Sequence, residues 1–253
     1  MQIGLPMKRL FMCLAAMLGT LFTIAAQEVE FTADRPGAST GPAVVGLGVA
    51  QWEQGMAATN DGSSMQYTFS NTLLRYGLFE GVEVRLGGDA LLYEDAFDWR
   101  GAFSGLSVGT KIRCYEGSGF VPAISLMATL SVPHTGSAGF VTDHLAPSLH
   151  LLFENGINDW LSIGYDVGVD YDGTFAAPTT FAAVCFGATL SDRLGCFAES
   201  YNSFSEWGNA YCADFGLSYM LAPKVQIDFA VDMDLARPTK CWAVSFGVAW
   251  QIN

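Results

Sequence analysis

From Val44 to the end of the chain, apolar side chains alternate with small or polar ones, the period of a strand with two unlike faces. In Val82–Leu92 the side chains of Val82, Val84, Leu86, Ala90 and Leu92 fall on one face, and those of Glu83, Arg85 and Asp89 on the other. The pattern recurs in Leu161–Asp170 and Val225–Asp234 and closes with Trp242, Val244, Phe246, Val248, Trp250 and Ile252. A helix would scatter these residues around its circumference, because its faces repeat every 3.6 residues.

Strands are expected near 44–57, 64–78, 82–94, 102–114, 120–132, 146–155, 159–170, 179–191, 193–203, 210–221, 224–235 and 240–252. Their connections alternate in length. Phe79–Gly81, Tyr115–Gly119, Asn155–Asn158, Ser191–Arg193 and Ala222-Pro223 are tight, whereas the links between them are longer, and the longest runs from Pro133 to Leu145. Tight turns on one rim and long loops on the other are the mark of a transmembrane, antiparallel, up-and-down β-barrel, here of about twelve strands. A soluble β-sandwich shares the period of two but does not explain the alternating connections. Only 15% of the residues are charged, against roughly 25% in an average soluble domain.

Tryptophans stand where an interfacial girdle needs them: Trp160 and Trp250 toward the tight-turn rim, Trp99, Trp207 and Trp242 toward the long-loop rim. Trp242 and Trp250 share a face, and eight residues of a tilted strand span ~20 Å along a barrel axis, close to a ~25 Å apolar band.

Before the barrel, Phe11–Ala26 is an apolar run preceded by Lys8 and Arg9 and ending in small residues, so residues 1–26 read as a secretory signal peptide. The mature chain would keep 10 basic and 25 acidic residues, a formal charge of −15, which argues against nucleic-acid partners and against an electrostatic hold on anionic headgroups. Residues 27–43 are polar and turn-prone, either a periplasmic N-terminal segment or a small plug. Nothing in their composition forces burial, which favours the tail. The barrel proper is placed at 44–253. Five cysteines remain beyond the signal, all within expected strands and without metal-ligand spacing. They read as small wall residues, with a Cys185–Cys196 bridge left open.

Several stretches carry a resemblance to a known family: Asp34-Arg35-Pro36, Leu73-Leu74-Arg75-Tyr76-Gly77-Leu78 leading into Glu83–Gly87, Leu106–Lys111 and Ser131–Gly136. Asp192–Glu199 and Asp214–Tyr219 are similar too. Together they resemble the outer-membrane barrels filed as transporters of the phenol-degradation meta pathway. The resemblance implies a membrane barrel that moves small organic molecules, with Asp34, Arg35, Pro36, Arg75, Tyr76 and Gly77 as family-motif residues. The chain departs from that pattern in ending Ile252-Asn253 instead of on an aromatic residue, and in placing His134 where the pattern is simpler.

If the apolar face meets lipid, the other face lines the lumen: Glu83, Arg85, Asp89, Lys111, Arg113, His150, Glu154, Asp166, Asp170, Glu199, Asp214, Asp228, Asp232 and Asp234. An Arg or Lys facing lipid near mid-membrane would cost about 2–4 kcal/mol, so the charges belong inside. Acids outnumber bases, so a solute path would favour neutral or cationic molecules. The expected partners are outer-membrane lipid, a small-molecule solute and the barrel-assembly machinery. The same groups could instead form a closed network in a structural or surface-interaction barrel. A barrel hydrolase would draw on His134, His144 or His150 with Ser131, Ser137 or Ser148. No GxSxG, HExxH, Walker or calcium-loop motif is present, so neither an enzyme nor a cofactor or metal site is expected.

Overall fold

The computed structural model describes residues 31–95, 98–174 and 177–252. The signal-peptide assignment and residues 27–30 lie outside them. Thirteen strands run in sequence: β1 (Ala50–Asp61), β2 (Met65–Phe79), β3 (Val82–Asp95), β4 (Asp98–Phe103), β5 (Ser107–Tyr115), β6 (Ala123–Ser131), β7 (Ala146–Asn158), β8 (Leu161–Asp170), β9 (Thr179–Thr189), β10 (Leu194–Ser205), β11 (Gly208–Ala222), β12 (Val225–Asp234) and β13 (Cys241–Gln251). All pairings between them are antiparallel, and β1 pairs with both β2 and β13, closing the ring. β4 and β5 are two halves of one interrupted stave. β3 pairs through Val82–Gly87 with β5 and through Ala90–Asp95 with β4. The barrel therefore has twelve staves.

Two expectations about strands need correction. The fourth strand, expected unbroken at 102–114, is interrupted at Ser104-Gly105-Leu106, where Gly105 takes a left-handed φ of 97°. The first begins at Ala50, not Val44. Val44 and Val45 are buried, and the amide of Val45 donates to Glu83 at 2.8 Å.

The alternation sets the faces as period two requires. Leu74, Tyr76, Val84, Leu86, Val108, Ile112, Leu149, Leu151, Val167, Val169, Phe215, Leu217, Ile227 and Phe246 are exposed on the outside. Most of the largest fully buried side chains are polar: Gln51, Glu53, Arg75, Glu83, Lys111, Ser125, Asp166 and Glu199 are all less than 5% exposed. A soluble fold hides apolar groups and shows polar ones, and this inversion is that of a barrel whose outer surface meets hydrocarbon.

Cys185 is opposite Glu199, whereas Cys196 is opposite Ala188. The two cysteines are therefore out of register, and the bridge left open by the sequence is not formed.

Candidate functional site: a strap across the lumen

Residues 31–45 lie against the inward side chains of the tight-turn half of the barrel. At their centre is Asp34. Its carboxylate accepts from Lys111 Nζ at 2.8 Å and from Arg85 Nη1, and lies 3.4 Å from Arg75 Nη1. Arg75 donates to both Glu83 oxygens, at 3.0 and 2.8 Å, and to Glu53 at 2.8 Å. Three bases thus meet three acids, and the side chains of Arg75 and Lys111 are completely buried. The remaining donors of Arg75 and Lys111 are taken by strap backbone: Arg75 reaches Thr32 O and Ala43 O, and Lys111 reaches Gly41 O and Ala43 O. Such satisfaction is what lets charges stand out of water.

Arg35 turns the other way. Its Nε and Nη2 bond the two oxygens of Asp228 on β12 at 3.3 and 3.1 Å, and its Nη1 donates to Asn71, which donates to Asp89 at 2.9 Å. A Cβ at Gly55 or Gly247 would come within 2.1 or 2.2 Å of that guanidinium. These two glycines are its seat. We expect Gly247→Val to push Arg35 off Asp228 and leave the sheet intact, because only the end of a flexible side chain must move. Losing a hydrogen bond to a charged group removes about 1.5–3 kcal/mol. Amide hydrogen exchange at residues 38–40 should then rise roughly tenfold or more at unchanged strand protection.

Beyond Arg35 the strap is held through its backbone. The amides of Ala38 and Ser39 donate to Glu199 at 3.1 and 2.9 Å, and that of Thr40 to Asp166 at 3.2 Å. Ser125 on β6 holds Pro42 O. The chain then turns so that Gly77 pairs with Leu47 and Val49 before β1 begins. A Cβ at Gly77 would lie 1.9 Å from Gly46 O, which explains why this motif position is glycine.

The sequence-derived residues fall into distinct places. Glu83, Arg85 and Lys111 join the Asp34 cluster. Asp166, Glu199, Asp214 and Asp228 meet the strap on an acidic wall formed by β8 and β10–β12. Asp232 accepts from Tyr201. Asp89 lies higher, beside Asn71. Arg113 pairs at the tight-turn rim with Glu116 at 3.2 Å, apart from the cluster, and Glu154 is exposed at the same end. Asp234 caps its own turn through Ala236 and Arg237. Of the motif residues, Asp34, Arg35, Arg75 and Gly77 are in the strap assembly, whereas Tyr76 points outward. Glu53 and Gln51 were missed as lumen groups, although Gln51-Trp52-Glu53 already shows the alternation.

His150 places Nδ1 2.6 Å from Asp166 and Nε2 3.2 Å from Asp170, while Ser148 donates to Asp170 at 2.6 Å. Both ring nitrogens face carboxylates and neither faces the serine, so the trio lacks the nucleophile–base contact of hydrolases.

Above the strap, toward the long-loop rim, is free space. A cavity of about 390 Å³ is lined by residues that include Asn71, Leu73, Gly87, Asp89, Ser104, Leu106, Ser107 and Ser131. A second, of about 240 Å³, has Arg35, Pro36 and Gly37 as part of its lining and shares Asn71 and Asp89 with the first.

The fold is that of known porins. A structure described as the KdgM porin in complex with disordered oligogalacturonate matches with a TM-score of 0.56 at 11% identity, over 81% of this chain and 99% of that one. The NanC porin matches with a TM-score of 0.56 at 8% identity, over 79% of this chain and all of that one. Comparison with curated proteins finds no match. The family described as "Putative MetA-pathway of phenol degradation" matches residues 33–252, from the strap through the last strand, and the chain belongs to that family.

Proposed function

We propose that the protein is an outer-membrane channel for small organic solutes, with an acidic interior that favours neutral or cationic molecules. The observation that carries this reading is the unequal lumen. Asp166, Asp170, Glu199, Asp214, Asp228 and Asp232 stand on strands of one side, while the inward bases of the opposite side are neutralised within the Asp34 cluster. Fixed negative charge in a confined path attracts cations and repels anions. Export by the signal peptide, insertion by the barrel-assembly machinery and residence in outer-membrane lipid belong to the same proposal.

The test is conductance and solute swelling with purified, refolded protein. Cation preference is expected, and Asp166→Asn, Asp228→Asn and Asp232→Asn combined should move the reversal potential toward zero. An unchanged potential would remove the acidic wall from the account. The complete burial of Arg75 and Lys111 favours a second reading, a structural or surface-interaction barrel without transport. A silent protein that also fails to pass solutes after removal of the strap would establish it.

A further inference from the structure

The interrupted stave leaves the wall weakest at one place. β4 is hydrogen-bonded to a single neighbour, β3. On its other side β6 and β7 have already stopped, at Ser131 and Ala146, while β4 continues outward to Asp98. Among the described residues no strand runs along that edge, and an open strand edge is not tolerated against lipid unless something covers it. Here the cover is the 132–145 loop. Ser137 N donates to Phe103 O and Ser137 Oγ accepts from Phe103 N, each at 2.9 Å. Thr135 Oγ1 accepts from Leu106 N at 2.9 Å, and Val132 N donates to Leu106 O at 2.8 Å. Toward β3, the gap between the Gly87–Ser107 and Ala90–Phe103 pairs is bridged by Ser104 N to Asp89 O and by Asp89 N to Ser104 Oγ. Three of these six bonds depend on a hydroxyl, where an ordinary seam is backbone ladder.

The larger cavity reaches this place from inside, since Gly87, Gly88, Asp89, Ser104, Gly105, Leu106 and Ser107 are all in its lining. Outside are the exposed Leu86 and Val108. The ring of Phe103 covers Gly88, where a Cβ would come within 2.9 Å of it. Trp99, whose ring lies tilted against Tyr67 at 5.4 Å in the upper girdle, is four residues above Phe103, or ~10 Å along the axis. The seam therefore faces hydrocarbon and not water. Below the cavity, the Asp34 cluster blocks the axial direction.

We propose that the Ser104–Leu106 seam is a lateral port, through which small, weakly polar organic molecules pass between the outer vestibule and the hydrocarbon of the membrane, with the 132–145 loop as its removable edge. This rests on the channel reading above and gives it a route and a solute class. The cavity suits such a solute, with Leu73 and Leu106 for an apolar body and Asn71, Ser107 and Ser131 for one polar group.

The test uses intact cells making the full-length protein and N-phenyl-1-naphthylamine, an apolar dye that brightens on entering hydrocarbon. In a background with the native cysteines replaced, Phe103→Cys with Ser137→Cys locks the edge when oxidised. We expect the parent protein to accelerate dye entry several-fold, the oxidised lock to abolish that gain, and reduction to restore it. Ser137→Ala, which removes the acceptor for Phe103 N, should act oppositely and speed entry. Dye entry that is faster with the protein but indifferent to both changes would overturn the port and leave the channel standing. Absence of any acceleration would overturn it too, and ion conductance of the strap-deleted protein then decides separately whether the channel reading survives.

Discussion

Deleting residues 31–43 should raise single-channel conductance at least about threefold, because twelve staves enclose more room than their own side chains can fill. The strap crosses that room. Its polar contacts reach β1, β2, β3, β5, β6, β8, β10, β11 and β12, so it occupies the waist from wall to wall instead of hugging one side. Asp34 and Arg35 leave together, so the deletion does not change net charge, and the effect should appear as a wider path and not as altered selectivity. The measurement is planar-bilayer recording, with heat-modifiable migration on a gel confirming that the barrel has formed. A correctly formed deletion variant with unchanged conductance would show that the strap does not limit flow.

The second large effect concerns stability. Arg75→Met leaves Glu83 and Glu53 buried without their principal counter-charge, and removing one partner of a buried pair costs about 3–5 kcal/mol. The penalty comes mainly from the orphaned carboxylates, so it should be partly relieved in Arg75→Met/Glu83→Met, where Glu83 is gone and Glu53 alone stays orphaned. Urea unfolding in detergent, followed by loss of heat-modifiable migration, reads both variants. A single substitution as mild as the double would mean that water enters the cluster and screens it. Gly77→Val offers a comparison of a different kind. It obstructs the return of the strap to β1 through contact with Gly46 O, and should expose residues 41–49 to proteolysis while leaving the Arg75 cluster's charges in place.

How much of this was readable in the sequence depends on what kind of group does the holding. The faces of the strands were legible because lipid and lumen impose opposite chemistry on neighbouring side chains, and Glu83, Arg85 and Lys111 were placed inward on that ground alone. The interruption at 104–106 shows only as a slip of phase, because Phe103 and Leu106 stand three residues apart in Phe103-Ser104-Gly105-Leu106-Ser107, where the backbone changes partner. Val44 to Val49 looked like strand for a similar reason. The side chains of Val44, Val45 and Val49 are buried and not turned to lipid, a distinction that alternation cannot make. Arg75 was noticed only as part of a motif, although an arginine between outward Leu74 and outward Tyr76 can only face the lumen. The course of the strap was hardest to see, because residues 38–40 are held chiefly through amide hydrogens, which a sequence does not display.

That last feature bears on how such a chain can diverge. Glu199 and Asp166 recognise main-chain hydrogens that nineteen of the twenty amino acids supply, so Ala38 and Thr40 are free to drift to almost anything except proline, which has no hydrogen to give. The memory of where this stretch belongs is written in the carboxylates opposite it, and a chain altered at both positions would still thread its barrel the same way.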